Sequence, residues 1–136
     1  MAASRARLDG DRWHFSHGPI DIVIGADGDT AAVTAAHQAA WQRFQPLLDE
    51  LVAELPRLRA AVAAGDNPLR GEVARCMWAA CAAHRPLFIT PMAAVAGAVA
   101  QALIGCYARP GVRRAWVNNG GDIALHLAAG ELLRIG

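Results

Sequence analysis

Aromatic side chains are scarce in this chain: they make up 6% of its 136 residues, although 54% are apolar. Much of the difference is alanine, which offers little side-chain area to bury, so such a core depends on close backbone packing. An excess of charge is also missing. The formal net charge is +1 and the charged residues are scattered, which excludes the basic footprint of a nucleic-acid-binding protein. Cysteine is limited to Cys76, Cys81 and Cys106, an odd number with no C-x-x-C pair. That argues against a disulfide framework and a thiolate zinc site, and it fits a reducing cytoplasm.

Targeting and membrane signals are lacking too. The first residues carry Arg5 and Arg7 but no apolar stretch behind them, so they do not read as a secretory signal. Residues 86–108 carry no formal charge, which is long enough to raise a membrane-spanning reading. Thr90, Pro91, Gln101 and two glycines interrupt that run, and tryptophan or tyrosine does not flank both ends. It reads as a buried helix, with no membrane partner. The histidines at 14, 17, 37, 84 and 126 are dispersed without H-x-x-x-H spacing, so no metal site is expected. No G-x-S-x-G, P-loop or post-strand G-x-G-x-x-G occurs, and no catalytic residue is assigned.

What is present alternates strands and helices. Residues 12–16 and 20–24 read as strands joined through His17-Gly18-Pro19, a turn in which glycine frees the backbone and proline fixes it. Residues 25–30, G-A-D-G-D-T, read as a turn cluster, or over 25–29 as a strand end plus helix cap, with Asp29 or Thr30 capping a helix. That helix runs from 30 to about 64, with apolar residues near a 3.6 period and a break or kink expected near one or both of Pro46 and Pro56. Residues 65–71 read as a loop and 72–83 as a second helix. A third helix is expected to start at Thr90-Pro91, with threonine as N-cap and proline at the first position, and to end near Gly105. Residues 115–118 and 123–127 read as strands, and 132–135 as the start of another. This order implies one α+β domain over residues 1–136, with antiparallel hairpins packed on an alanine-rich helix layer.

Two stretches draw attention for function. In W-V-N-N-G-G-D-I, Asn119, Gly120 and Gly121 suit a two-residue hairpin turn, while Asn118 and Asp122 are a surplus of polar groups that a minimal turn does not require. In T-P-M-A-A-V-A-G-A-V-A-Q, Ala93, Gly97 and Gln101 share a face at i, i+4 spacing beside Ala94 and Ala98, a smooth stripe that something approaches closely. Helix-on-sheet packing is one reading. The other is a pocket faced by the helix N-terminus after Thr90, suited to an anion.

The succession H-G-P-I-D-I-V-I-G-A-D, T-P-M-A-A-V-A-G-A-V-A and V-N-N-G-G-D-I resembles, in order and spacing, an uncharacterised family of the ApbE-like superfamily, relatives of FAD:protein FMN transferase. The resemblance implies an ApbE-like fold in which the small-residue helix and the N-x-G-G hairpin line one cleft. It places Thr90, Pro91, Met92, Ala93, Ala94 and Gly97 on one wall, and Asn118, Asn119, Gly120, Gly121 and Asp122 on the other. The ligand it implies is a nucleotide, a flavin (FAD or FMN with magnesium) or another anionic small molecule, and the enzyme class a transferase. Members of that family carry a distal half, so it also implies an incomplete domain that associates with the missing C-terminal half or a second chain as a homo- or hetero-oligomer. The lysine usual near the glycine pair has no counterpart among Ala96, Gly97 and Ala98. A non-catalytic accessory or binding subunit, in sulfur or one-carbon metabolism, is the second reading.

Overall fold

The computed structural model describes residues 2–85 and 88–133. Strand β1 (Ser4–Leu8) pairs with β2 (Arg12–His17), and β2 with β3 (Ile20–Gly28). The chain then leaves the sheet for five helices and returns as β4 (Val112–Asn119) and β5 (Asp122–Leu127). All neighbours are antiparallel, in the order β1-β2-β3-β4-β5, so the α+β architecture is established. β3 alone joins the N-terminal hairpin to the C-terminal one.

β1 is absent from the sequence expectations because S-R-A-R-L alternates arginine with small residues and carries no apolar face. Residues 25–28 continue β3 as the strand end, not as a turn cluster, since Gly25 leaves room for Trp116 directly opposite. An added Cβ there would collide with the indole. The strand ends in a register shift at Asp27/Gly28, and Asp29 accepts the Ala32 N–H at 3.1 Å as the expected cap of α1 (Thr30–Phe44).

Both prolines break the helical run. Pro46 stands before α2 (Leu47–Ala53), and Pro56 sits in the first turn of α3 (Leu55–Leu58), where its missing N–H costs nothing. Helix α3 therefore ends before residue 64. Two further helices follow, α4 (Glu72–Ala82) and α5 (Val95–Ile104). Residues 91–94 form a separate 3₁₀ turn rather than the first turn of α5, and Thr90 makes no side-chain cap. Residues 132–133 form no strand; the remainder of the strand expected there lies outside the described residues.

The helices cover one sheet face. Their buried side chains, Phe44, Leu47, Met77, Val99 and Leu103, meet Phe15, Ile22, Ile24, Ala115 and Val117 from the sheet. Among the described residues the other face carries no helix. Among the described residues no helix is long and apolar enough to cross a membrane.

Candidate functional site

Helix α5 settles on β4 and β5 through Val99, Ala100, Leu103 and Ile104. That leaves Gly97 and Gln101 on its outer side, with Ala93 of the preceding 3₁₀ turn beside them, all exposed. The smooth stripe is therefore not the packing surface. It is the floor of a groove of about 440 Å³ whose far wall is α4, with Glu72, Cys76 and Ala80, and whose end is Asp122. Glu72, Cys76 and Ala80 recur every four residues, which puts them on one face of α4. Sequence reasoning missed this wall because three unlike residues at helical spacing carry no shared chemical type.

The hairpin tip is fixed by its asparagines. Asn118 Oδ1 accepts the Gly121 N–H at 2.9 Å, closing the turn. Asn119 Nδ2 donates to the Ala96 carbonyl at 3.2 Å, tying the hairpin to α5. Gly120 and Gly121 hold φ values of +60° and +103°, the left-handed geometry that a two-residue turn requires. Asn118 is thus not surplus: the turn uses it. Asp122 is the group left over, and its Oδ1 stands 4.0 Å from where a Cβ on Gly97 would lie.

The expected residues divide accordingly. Ala93, Ala94, Gly97 and Asp122 line the groove, together with Gln101 and Ala98. Asn119 supports it from behind. Thr90, Pro91 and Met92 do not line it: the Thr90 carbonyl accepts from Ala93 N–H and from the Cys81 thiol, Pro91 is buried, and Met92 packs against the core. Gly120 and Gly121 project at the exposed tip.

The electrostatics also differ from expectation. Two carboxylates, Glu72 and Asp122, line the groove, and no arginine or histidine is among its described lining residues. A phosphate or other anion there would meet like charge at both ends without a compensating cation. The residues present do not fit the diphosphate of a flavin dinucleotide. Among the described residues no group of three or more His, Cys, Asp or Glu could hold a metal ion. Of the thiols, burial pushes Cys81 and Cys106 above their ordinary range, while Cys76 is exposed at the groove wall.

No curated protein and no solved structure matches the chain. The ApbE-like flavin-transferase resemblance is overturned by the family comparison, which matches a different family over residues 4–136. The chain belongs to the family described as AbpE bacteria.

Proposed function

We propose that this domain binds a small molecule rich in hydrogen-bond donors, an amine or the hydroxyls of a sugar or nucleoside, in the groove between α4, α5 and the β4–β5 hairpin. The observation that carries this reading is Asp122. Its carboxylate plays no part in the turn, faces the bare backbone of Gly97, and shares the groove with Glu72 over an alanine floor. Backbone exposed at glycine allows close approach of a flat or compact ligand, and the volume lies within the range of small-molecule sites. Carboxylates favour donors and positive charge, so the nucleoside part of a nucleotide suits this groove better than its phosphates. The three free thiols suit a reducing compartment such as the cytoplasm.

The test is a thermal-shift survey of nucleosides, sugars and polyamines, paired with alkylation of Cys76. A ligand at 100 times its Kd raises stability by about 2.7 kcal/mol. A true occupant raises Tm, slows Cys76 alkylation, and does neither in Gly97→Leu. If no compound separates the wild type from that variant, the groove is not a binding site.

A different observation favours the accessory-subunit reading. Ile123, Leu125 and Leu127 are 47%, 40% and 41% exposed along the edge strand β5, on the face without helices. An unpaired edge bearing an apolar row suits association with a second chain. Sedimentation of the chain at increasing concentration tests it: a monomer at every concentration that is unchanged in Leu125→Glu removes self-association.

A further inference from the structure

A second hollow, of about 430 Å³, is bounded by β1, β2, the C-terminal end of β3, Arg113 of β4 and the first half of α1. Its walls include Arg5, Arg7, Trp13, Thr34, His37 and Arg113. The alternation of a strand puts Arg5 and Arg7 on one face of β1, opposite Phe15 and Trp13 of β2. The Arg5 guanidinium lies 5.1 Å from the Trp13 ring and 4.9 Å from Trp41, and that of Arg7 lies 5.7 Å from Trp13. Stacking on indole holds a guanidinium while leaving its N–H edge free for an acceptor.

Two carboxylates, Asp11 and Asp27, line the same cavity, and both are largely committed. Asp11 pairs with Arg7 at 2.8 Å. Asp27 accepts two bonds from Arg114 Nε, at 3.2 and 3.0 Å, and lies 2.7 Å from another Arg114 nitrogen. Arg113 reaches Asp27 only at 3.9 Å. Among the described residues Arg5 forms no ion pair. Charged edge strands protect a sheet from pairing with other chains, and that alone would account for arginines on β1.

It does not account for His37. This residue is 9% exposed, and its Nδ1 lies 2.6 Å from the Tyr107 hydroxyl, which is itself fully buried. If Tyr107 donates to Nδ1, both groups are satisfied and the imidazole proton sits on Nε2; the reverse assignment leaves the phenol proton with no acceptor. Nε2 is buried and has no hydrogen-bond partner among the described residues. The Asp11 backbone lies near enough to favour the protonated ring but falls short of bonding geometry. A buried N–H without an acceptor is costly, and this one belongs to a residue lining a cavity with arginine walls.

We propose that this cavity is a binding site for a small oxyanion-bearing molecule, a carboxylate or phosphate ester, whose oxygens accept from His37 Nε2 and the guanidinium groups of Arg5 and Arg113. The site is separate from the acidic groove and shares no residue with it.

The experiment titrates the full chain with inorganic phosphate and with citrate, each against sodium chloride at equal ionic strength. Thermal unfolding and the ¹⁵N shift of the His37 ring are followed. At least one probe is expected to raise Tm and move the His37 Nε2 resonance. Arg113→Gln, an exposed position, is expected to weaken that response at least about tenfold, and Arg5→Gln likewise. A response to phosphate alone identifies a phosphate site; a response to citrate alone, a carboxylate site. No response to either probe beyond sodium chloride overturns the proposal. So does a response that survives unchanged in both arginine variants, because the anion would then sit elsewhere.

Discussion

The two hollows of this molecule are nearly equal in volume, about 440 and 430 Å³, and opposite in chemistry. One is walled by alanine and glycine and carries two carboxylates; the other is walled by tryptophan and three arginines, contains a buried imidazole, and has its two carboxylates, Asp11 and Asp27, already paired with Arg7 and Arg114. They share no residue: the first meets the sheet at Asp122 of β5, and the second runs from β1 to Arg113 of β4. A net charge of +1 conceals this segregation completely. Charge balance over a chain excludes a global field but says nothing about two local ones of opposite sign.

The largest effect is expected from removing the hydroxyl that orders the basic side. Tyr107→Phe leaves His37 Nδ1 buried without its 2.6 Å partner, a loss of about 1–3 kcal/mol. Urea denaturation measures it. The variant also frees the ring to change tautomer, so the His37 ¹⁵N pattern changes while Cys76 alkylation in the groove does not. Equal disturbance at both hollows would mean that they are coupled through the core.

On the acidic side the corresponding anchor is Asn119. Asn119→Ala deletes its bond to the Ala96 carbonyl and is expected to cost about 1 kcal/mol, with the hairpin tip released from α5. The groove loses its end wall as Asp122 moves away. Measured stability should fall modestly and groove affinity more steeply; a fall in stability with unchanged affinity would remove Asp122 from the site.

Acid separates the two sides in a different way. Burial, the largest influence, holds the His37 pKa below the ordinary 6.5, and Arg7 adds to it, against the Asp11 backbone and carboxylate. The native state therefore resists a proton that the unfolded chain accepts. Linkage makes this contribution complete above pH 6.5 and lost as pH falls toward the depressed native value. Thermal unfolding from pH 8 downward is expected to show the loss, and His37→Gln to reduce it. A profile identical in the two proteins would mean that another histidine carries the dependence.

The two hollows were unequally legible. Most of the groove floor follows from helical spacing, which puts Gly97 and Gln101 on one face of α5, while Ala93 reaches the same floor from the 3₁₀ turn before it. Asp122 was visible as excess because turn chemistry sets how many polar groups a hairpin needs, although Asn118 was miscounted: its side chain closes the turn. The α4 wall required knowing that two helices lie side by side. The basic cavity draws on residues 5, 7, 13, 37 and 113, from three strands and a helix, and no periodicity links them. One local signal existed. Arg5-Ala6-Arg7 carries the period of a strand with two arginines on one side, and in a chain with no lysine every permanently charged side-chain cation is one that stacks and bonds in a plane. The helix start at Thr90 failed for a physical reason, since residues 91–94 form a short 3₁₀ turn in which Pro91 has no N–H and the Ala93 N–H is already given to the Thr90 carbonyl.

The smallest effect on stability is expected where the groove is most open. Gly97 lies inside α5 with ordinary helical backbone, and a Cβ there would meet only Asp122 Oδ1 at 4.0 Å, a normal contact. Gly97→Ala should therefore stabilise the fold, by up to about 1 kcal/mol, because glycine carries the larger entropy loss in a helix. Gly97→Leu keeps that gain in part and fills the floor. Packing alone provides no reason for glycine at this position, so a chain that is more stable with alanine and weaker in ligand binding with leucine identifies the missing side chain as space kept for an occupant. Loss of stability with alanine would instead show that α5 needs the glycine for its own packing, and the groove would lose its strongest argument.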